Sequence, residues 1–328
     1  MYAIVITKPG GPEVLRMQEV EDLTPGPKEL LVDVKATAVN RGDGRRREAG
    51  SYDPPIGTQK NILGLEMAGV VREVGNQVPK NMSGERIFAL LPGGGYAQRV
   101  VIHHRMAMPI PTNLDFIQAA SIPEVFFTAF DALFNRCKLS MSENVLIHAV
   151  GSGVGSAALQ LANNAGAFTF GTAGSREKLT KAFALGLDIG INYHKDNFPE
   201  VIGKHTEGHG VDVIFDLVGA TYWQSNLASL ASQGRIALVG SLAGKDEPVN
   251  LGLMQSKRAS IYGTILRTRS LAEKILLTEQ FCNQFLPLFA SGSLKPVVDK
   301  VFPLERVVEA HQYLEGNANF GKVVMTVP

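Results

Sequence analysis

The sequence predicts an α/β fold in two parts, a compact β-rich domain followed by a doubly wound parallel sheet. Three observations support this. The first third carries AIVI, LLVDVKATAV, EMAGVVREVG and AQRVVI between Pro- and Gly-rich stretches, as in a barrel-like antiparallel domain. From about Ile122, apolar strand candidates alternate with helical segments. The chain then returns through two predicted helices, LAEKILLTEQFCNQFLPLFASG and ERVVEAHQYLEG, to a last strand, GKVVMTV.

Length and composition restrict the class of protein. A chain of 328 residues exceeds the roughly 250–300 at which one core stops growing, so two domains are expected. Lys and Arg total 32 against 31 acids, which counts against nucleic acid or an anionic membrane as partner. The only cysteines, Cys137 and Cys282, exclude a disulfide framework and a multi-cysteine zinc site. Without a signal peptide or a membrane-length apolar run, we expect a soluble cytoplasmic protein.

The second part of the chain carries its elements in a regular order. Apolar runs predict buried strands at NVLIHAV, AFTFGTAG, IGINY, VDVIFDLVG and GRIALVG. Between several of them lie segments with apolar or small residues at helical spacing, SAALQLANNAG, REKLTKAFALG and TYWQSNLASLAS. Strand and helix therefore alternate, as in a parallel sheet covered on both faces.

The first of these strands ends in a glycine-rich turn, HAVGSGVG. Gly151, Gly153 and Gly155 allow a tight turn and let a bulky anion such as a pyrophosphate approach the amides at the helix start. The strict G-x-G-x-x-G pattern is not met, because Ser156 stands at its third glycine. Such a turn alone can also simply pack a helix against a sheet, but the repeated strand and helix order favours a ligand. We interpret His148 as a hydrogen-bonded core histidine.

The end of the second strand indicates which nucleotide binds. A cofactor with a bare ribose usually meets an acid there, about 20 residues beyond the glycines. This chain reads GTAGSREK, with small Gly174 and Ser175 and the cation Lys178, so the site suits a 2′-phosphate and predicts NADPH rather than NADH. Alternatively, Arg176 and Lys178 are solvated residues in the first turn of a helix. Tyr193 either completes the phosphate pocket or stacks on the sheet edge.

The order of these features resembles the medium-chain dehydrogenase/reductase superfamily over the whole chain. The motifs that carry the resemblance are NRGD from Asn40, GLEMAGVV from Gly64, IPEVFFTAF from Ile122, HAVGSGVG from His148, FDLVG from Phe215 and NANFGKVV from Asn317. Together they are similar to its zinc-independent, zeta-crystallin-like quinone oxidoreductase branch, and YDPP, LLPGGG, TAGS and ILRTRS are similar to the tumour-suppressor-inducible group within it. The resemblance implies a GroES-like β-barrel domain over 1–122 and 267–328, and a Rossmann doubly wound parallel-sheet domain over 123–266.

The zinc ligands of alcohol-dehydrogenase relatives are missing from this sequence. The resemblance places Asn40 where those relatives have Cys, and Leu65 where they have His. Leucine cannot bind zinc and an amide is a poor ligand, so we expect no metal. Hydride transfer without a Lewis acid suits an acceptor that is already electrophilic, such as a quinone or a conjugated enone.

The resemblance also assigns individual residues to the substrate and the cofactor. Asn40, Asp43 and Tyr52 are expected to edge the substrate site, although Asp43 can instead cap a helix and Tyr52 can be loop packing. The residues expected at the cofactor are Thr128 on the nicotinamide side; Gly151, Ser152, Gly153 and Val154 at the pyrophosphate; Gly174, Ser175, Lys178 and Tyr193 at the 2′-phosphate; Val218, Gly219, Gly240 and Ser241 along its length; Leu266 and Arg267 toward the nicotinamide; and Asn317 and Lys322 closing over it.

These assignments predict direct hydride transfer from NADPH to a quinone stacked in the cleft between the domains. Position and orientation are expected to supply most of the rate enhancement. Tyr52, the Asn40 amide or water would stabilise the charge that develops on the reduced oxygen, and no residue is marked as an obligatory proton donor. We therefore expect Tyr52→Phe to weaken turnover only modestly, and transfer of single electrons stays open.

Two other functions are consistent with the sequence. The same scaffold can reduce the double bond of 2-alkenals or enones, and comparing quinones with alkenals at fixed NADPH separates the two reactions. A different class is a binding protein, crystallin-like or RNA-binding, in which NADPH is only a stabilising ligand. The balanced charge and the lack of a long basic stripe count against RNA.

The stretch ASIYGTIL predicts the oligomeric state. It is β-prone and apolar and lies near the end of the parallel sheet, where it would leave an exposed edge if alone. Pairing with its own copy would cover that edge, so we expect a homodimer.

Overall fold

The computed structural model describes residues 1–50 and 61–328, and these form two compact units. Met1–Glu124 and Arg269–Pro328 together form one unit, here named the two-segment unit. Val125–Thr268 forms the other, named the central unit. Helices and sheets occur in both, which confirms the predicted α/β class.

The strands are β1 (Tyr2–Ile6), β2 (Leu15–Glu19), β3 (Glu29–Val39), β4 (Glu66–Val74), β5 (Arg86–Leu90), β6 (Arg99–His103), β7 (Met108–Pro109), β8 (Asn144–Ile147), β9 (Phe168–Ala173), β10 (Ile189–Asn192), β11 (Val211–Asp216), β12 (Leu230–Leu238), β13 (Ser260–Gly263), β14 (Val298–Pro303) and β15 (Lys322–Thr326). The α-helices are α1 (Arg41–Ala49), α2 (Phe116–Ala120), α3 (Pro123–Phe130), α4 (Gly153–Asn164), α5 (Arg176–Phe183), α6 (Phe198–His205), α7 (Trp223–Ser229), α8 (Leu251–Lys257), α9 (Leu271–Ser291) and α10 (Val307–Glu315). A π-helical turn, Asp131–Arg136, follows α3.

The two-segment unit is built on a mixed sheet of seven strands. Its path runs β14, β15, β3, β4, β5, β7, with β6 paired to β3, while β1 and β2 form a separate hairpin pair. Strand β3 is the longest, and Leu30, Val32 and Val34 on it point into the core with 0–1% exposure. The C-terminal strand β15 lies antiparallel beside β3, so the last residues of the chain pack against the first forty.

Helix α1 follows β3 directly and was not predicted from hydrophobic periodicity. Its sequence, RGDGRRREA, has no apolar stripe, and the helix instead starts at a polar cap and stops at Gly50, whose φ is +67°. The later helix α9 begins with a reciprocal cap between Ser270 and Glu273 and ends at Gly292, with φ +77°. Both ends of each helix are therefore set by local chemistry.

The central unit contains a six-stranded sheet in the order β10, β9, β8, β11, β12, β13. Every neighbouring pair in it is parallel. The strand order reverses at β8, since β9 and β10 extend to one side and β11 to β13 to the other. In open parallel sheets, ligands bind outside the carboxyl ends of the strands at such a reversal. A ligand of this sheet is therefore expected at the turns that follow β8, β9 and β11.

Within the described part of the chain, no helix is both long enough and apolar enough to cross a membrane.

Candidate active site

Asn40 lies at the centre of a buried polar network in the two-segment unit. Its amide Nδ2 donates to Glu66 Oε1 at 2.8 Å, and its Oδ1 accepts from the Lys322 ammonium at 2.7 Å. Lys322 also lies 2.7 Å from Glu66 Oε1 and donates to the Val39 carbonyl at 3.1 Å. Three oxygens thus surround the ammonium, and both polar ends of the Asn40 amide are bonded. The network fixes the orientation of Asn40 rather than leaving its amide to rotate.

The second carboxylate oxygen of Glu66 points to the start of α3. Glu66 Oε2 accepts from the backbone N–H of Glu124 at 2.8 Å. Burial, followed by repulsion from Glu66, raises the pKa of the partly exposed Glu124 carboxyl to about 8. Glu124 therefore keeps its proton at neutral pH, and a neutral carboxyl of this kind can donate a proton or a hydrogen bond.

Asp43 is fully buried at the third position of α1. Its Oδ2 accepts from the backbone N–H of Asn40 at 2.9 Å and from the Tyr96 hydroxyl at 3.0 Å. Burial raises the pKa of Asp43, while Arg46 and these hydrogen bonds act in the opposite direction. The helix-capping interpretation of Asp43 is thus confirmed, and the same contact fixes the backbone at Asn40.

Tyr96 connects Asp43 to a second buried cluster of polar side chains. The Tyr96 hydroxyl lies 3.3 Å from His311 Nε2, and His311 Nδ1 lies 3.0 Å from the Arg47 guanidinium. Arg47 in turn pairs with Glu315 at 2.7 Å. Burial, followed by the Arg47 charge, lowers the pKa of His311 to about 3, so this imidazole is neutral. The cluster joins α1 to α10 and holds the Asp43 end of the site.

Tyr52 was predicted at the substrate site, and Asn317 was predicted at the cofactor. Tyr52 lies outside the described residues, so its place beside Asn40 and Asp43 stays a prediction. Asn317 is exposed in a left-handed conformation, φ +55°, and its Oδ1 accepts a hydrogen bond from Arg41. Lys322 and Asn317 were both assigned to the cofactor. The structure shows Lys322 bonded to Glu66, Asn40 and Val39, and Asn317 bonded to Arg41.

The glycine-rich turn of the central unit has the geometry expected for an anion site. Ser152 caps α4, since its Oγ accepts from the backbone N–H of Gly155 at 3.0 Å. A Cβ at Gly155 would lie 2.3 Å from the Ala149 carbonyl oxygen, so no larger residue fits. Ala149 itself has a φ of +50°. The turn therefore brings the backbone of Gly151, Ser152, Gly153 and Val154 to the carboxyl end of β8, at the start of a twelve-residue helix.

The residues predicted for a 2′-phosphate meet at the ends of β9 and β10. Ser175 caps α5 by accepting from the Lys178 backbone N–H at 3.2 Å. Tyr193 follows β10, and its backbone N–H donates to Ala173 at 3.3 Å. A Cβ at Gly174 would lie 2.5 Å from the Tyr193 hydroxyl, so a larger residue there would displace the tyrosine ring. No acidic residue stands at Gly174 or Ser175, where a bare ribose would call for one.

The turn after β11 is held by a buried chain of polar side chains. Asp216 Oδ1 accepts from the backbone N–H groups of Val218 at 2.7 Å and Gly219 at 3.1 Å, and Asp216 Oδ2 accepts from Asn226 at 3.1 Å. Asn226 Oδ1 lies 2.7 Å from His148 Nε2. The two predicted cofactor residues Val218 and Gly219 thus have their amides bonded within the turn. Asp216 orders this turn, and its pKa is raised by burial.

His148 continues this chain to the neighbouring strand. Its Nδ1 lies 3.0 Å from the Thr172 hydroxyl on β9. Burial lowers the pKa of His148 to about 4, so the ring is neutral. The interpretation of His148 as a hydrogen-bonded core histidine is confirmed. The network from Thr172 through His148 and Asn226 to Asp216 ties together the ends of the three strands at which the sheet order reverses.

The remaining predicted cofactor residues lie in the central unit at several depths. The Gly219 turn packs on the next one, since a Cβ at Gly219 would lie 3.0 Å from Ser241 Cα. Gly240 donates its backbone N–H to the Asp216 carbonyl at 3.2 Å. Thr128 on α3 is partly exposed, Leu266 is 6% exposed and Arg267 is exposed. These contacts join Gly240 and Ser241 to the same turn region.

Sequence reasoning missed Glu66, Glu124, Asp216 and Asn226. A signal existed for the acids, because Glu66 and Asp216 stand inside or at the end of apolar strand sequences, EMAGVV and VDVIFD. A charge there must find a buried partner. Asn226 carried no such signal, since it lies on a helix of mixed composition.

The two groups of residues suit different ligands. The turns after β8 and β9 offer backbone amides, hydroxyls and a lysine, which suit the phosphates of a nucleotide. At the zinc positions of alcohol-dehydrogenase relatives stand an amide already bonded to an ammonium and the aliphatic Leu65, which do not fit a zinc ion. Among residues 1–50 and 61–328, no group of three or more His, Cys, Asp and Glu side chains is arranged to hold a metal.

Known proteins resemble this chain over its full length. The alcohol dehydrogenase GroES-like domain family matches residues 26–112, and the zinc-binding dehydrogenase family matches residues 153–279. Quinone oxidoreductase of Homo sapiens is 31% identical over 99% of this chain and 97% of its own length. Quinone oxidoreductase 1 of Escherichia coli is 32% identical over 97% of both. A 2-haloacrylate reductase of a Burkholderia species is 30% identical over 99% of this chain and 98% of its own.

Solved structures agree with these relatives. An NAD-dependent alcohol dehydrogenase superposes with a TM-score of 0.88 at 33% identity, covering 100% of both chains. A mycobacterial protein complexed with NADPH superposes with a TM-score of 0.86 at 28% identity, covering 99% of this chain and 100% of its own. These matches confirm the GroES-like and Rossmann-like architecture. The protein therefore belongs to the medium-chain dehydrogenase/reductase superfamily, in its zeta-crystallin-like quinone oxidoreductase branch, and is a nicotinamide-dependent oxidoreductase of small molecules.

Proposed function

We propose that this protein is an NADPH-dependent, zinc-independent quinone reductase. The observation that carries the proposal is the turn after β9, where Ser175 caps the helix at Lys178, the Tyr193 hydroxyl lies against Gly174, and no acid stands at Gly174 or Ser175. An acid there would bind the ribose hydroxyls of NADH and repel a 2′-phosphate. The similarity to a protein solved with NADPH supports the same cofactor.

The cofactor contacts that we propose follow the predicted residues. The amides around Gly151, Ser152, Gly153 and Val154 would bind the pyrophosphate, since Gly155 leaves no side chain between the turn and its helix. We also propose that the following residues contribute to the cofactor site: Thr128, Val218, Gly219, Gly240, Ser241, Leu266, Arg267, Asn317 and Lys322. For Lys322 we propose an indirect role, since its ammonium is bonded to Glu66, Asn40 and Val39.

Independence from zinc rests on the donor set. Although the central match is to a family described as zinc-binding dehydrogenase, Asn40 and Leu65 stand at the ligand positions. The Lys322 ammonium lies 2.7 Å from the Asn40 oxygen, which is the atom that a metal would need. A cation bonded to this oxygen already supplies the positive charge at that point.

In this proposal, the chain's own residues orient the substrate. When bound, the nicotinamide cofactor supplies a hydride or single electrons to the acceptor. Asn40, held by Lys322 and Glu66, and Tyr52 would edge the acceptor, and Asp43 would fix the backbone at Asn40. A quinone needs no Lewis acid for this reaction, because its carbonyl groups are already electrophilic.

The test is NADPH oxidation, followed by absorbance in buffer with a metal chelator, using an ortho-quinone and a 2-alkenal as acceptors and NADH in parallel. Faster turnover of the quinone with NADPH supports the proposal. Loss of activity in the chelator would overturn zinc independence, and equal rates with NADH would overturn the cofactor preference. If the protein reduces the alkenal and no quinone, the second candidate function, reduction of a conjugated double bond, replaces the first.

That second candidate is reduction of a conjugated double bond. Its support is the 30% identity over 99% of the chain to a 2-haloacrylate reductase, a relative as similar to this chain as several quinone oxidoreductases. The two reactions share the cofactor and the need for an electrophilic acceptor, so the acceptor panel above separates them.

The proposal includes a homodimer and a cytoplasmic location. Strand β13 is the edge of the six-stranded sheet, with Tyr262 exposed on it and Ile265 and Leu251 exposed nearby. An unpaired apolar edge of this kind favours pairing with a second copy. The cytoplasmic location is supported by Cys137 and Cys282, which are both free thiols.

A further inference from the structure

The turn after β10 carries a histidine that the family motifs do not include. His194 follows Tyr193 directly, and its backbone N–H donates to Asn192 Oδ1 at 3.0 Å, which fixes the residue in the turn. The Tyr193 and His194 rings lie in contact, with centroids 4.5 Å apart. The imidazole is exposed, and this contact holds it beside the tyrosine ring.

The Tyr193 hydroxyl and the His194 Nε2 both lie close to Gly174. A Cβ at Gly174 would lie 2.5 Å from the Tyr193 hydroxyl oxygen and 3.3 Å from His194 Nε2. Two hydrogen-bonding atoms from the end of β10 therefore converge on the backbone at the end of β9. The missing side chain of Gly174 lets these two atoms approach the backbone closely.

The polar side-chain atoms of Tyr193 and His194 are available for a ligand. Among the residues that the structure describes, the Tyr193 hydroxyl and the His194 imidazole nitrogens have no hydrogen-bond partner. The acids nearby are bonded elsewhere: Glu177 pairs with Lys181 at 2.8 Å, and Asp196 accepts from the Asn192 backbone at 2.9 Å. The position above Gly174 thus offers donors and no competing carboxylate.

We infer that His194 is a specificity-determining residue that binds the 2′-phosphate together with Tyr193 and Lys178. The inference rests on the proposed NADPH preference and adds a residue to it. An imidazole N–H donates to a phosphate oxygen, and a phosphate dianion strengthens such a bond far more than a neutral ribose hydroxyl does. His194 would therefore act on NADPH and leave NADH nearly unaffected.

The experiment measures binding of NADPH, NADH, adenosine 2′,5′-bisphosphate and adenosine 5′-monophosphate by calorimetry to the full-length protein. For His194→Ala, we expect NADPH and the bisphosphate to bind about 3- to 10-fold more weakly, as for one charge-assisted bond at an exposed site. NADH and the monophosphate should change less than about twofold. His194→Gln keeps a donor and should lose less. His209→Ala is the matched control, an exposed histidine just before the amino end of β11, and should behave as wild type.

The outcomes separate this inference from the proposed function. Equal weakening of NADPH and NADH, or no weakening of either, would overturn the role of His194. If Lys178→Ala reduces bisphosphate binding while His194→Ala does not, the NADPH pocket stands without the histidine. If the wild-type protein binds the bisphosphate no more tightly than the monophosphate, the proposed NADPH preference fails and the role of His194 fails with it.

Discussion

The ammonium of Lys322 lies 2.7 Å from the Glu66 carboxylate, and their side chains are only 4% and 0% exposed. The contact follows from the sheet order: β15, which begins at Lys322, and β4, which begins at Glu66, flank β3 on its two sides. Two charges from opposite ends of the chain are thus brought together at one end of the sheet, where they hold Asn40 between them.

Removing one partner of this pair should destabilise the protein strongly. Lys322→Met leaves the Glu66 carboxylate buried without its counter-charge, which costs about 3–5 kcal/mol of unfolding free energy. The double variant Lys322→Met with Glu66→Gln removes both charges and should recover part of that loss. Urea denaturation at pH 7 gives both values. A double variant less stable than Lys322→Met would contradict the pairing.

Glu124 should make the protein less stable as pH rises. The folded-state pKa is about 8 against 4.5 for the free side chain, so between these values the folded state holds a proton that the unfolded state has lost. Stability therefore falls from about pH 4.5 to pH 8 and then levels off. Glu124→Gln should remove this slope and be more stable than wild type at pH 9 by roughly 1–3 kcal/mol.

Urea denaturation of wild type and Glu124→Gln from pH 5 to 9 tests this prediction. Glu85→Gln is the control, since Glu85 is exposed and its replacement should leave the wild-type slope in place. Identical pH slopes for wild type and Glu124→Gln would show that this carboxyl ionises normally.

The NADPH preference should depend on Lys178 and on the space at Gly174. Lys178→Ala should weaken NADPH binding about tenfold while NADH binding is kept, because a single phosphate contact is lost. Gly174→Ala places a methyl group 2.5 Å from the Tyr193 hydroxyl, so it should weaken NADPH through displacement of that ring. Lys204→Ala, at an exposed lysine in the last turn of α6, is the matched control. Unchanged discrimination in Lys178→Ala would contradict the site.

His148 should make the protein sensitive to acid. Its folded-state pKa is about 4 against an ordinary 6.5, so on acidification the unfolded state takes up a proton before the folded state does. Stability therefore falls as pH drops from about 6.5 to 4. His148→Gln should lose roughly 1–3 kcal/mol at pH 7 through its hydrogen bonds, yet show a flatter decline toward pH 4.5. Some loss of stability in acid should remain in this variant, because His311 also has a lowered pKa, of about 3.

Thermal or urea unfolding of wild type, His148→Gln and the exposed control His209→Gln between pH 4.5 and 7 measures this. If the stability of His148→Gln falls with acidification as steeply as that of wild type, the pKa of His148 is not lowered in the folded protein.

The edge strand β13 should be the dimer contact. Tyr262 is 36% exposed on that edge, so Tyr262→Lys adds a charge without removing core packing and should convert a dimer to a monomer. Light scattering after size-exclusion chromatography at micromolar concentration gives the mass. Tyr2→Lys, at a 49% exposed tyrosine in the other unit, is the control. A wild-type monomer, or a Tyr262→Lys dimer, would contradict the contact.

Most of the central unit could be predicted because its signals are local. Strand β8 is a continuous apolar run, and α4 shows small residues at helical spacing after a glycine turn. Helix α1 has no hydrophobic periodicity, for the opposite reason. Its face toward the protein is polar, and Arg47 is stabilised by the Gly10 carbonyl, His311 and Glu315, all distant in sequence. No periodic pattern records such contacts.

The sequence by itself determined the fold class, the glycine-rich turn before α4 and the absence of an acid beside Gly174, since each depends on residues that are neighbours in the chain. Only the tertiary structure decided the environment of Asn40, whose oxygen meets Lys322 across 282 positions. Whether a lysine serves a cofactor or a buried carboxylate depends on burial and distance, and these arise only when β15 pairs with β3.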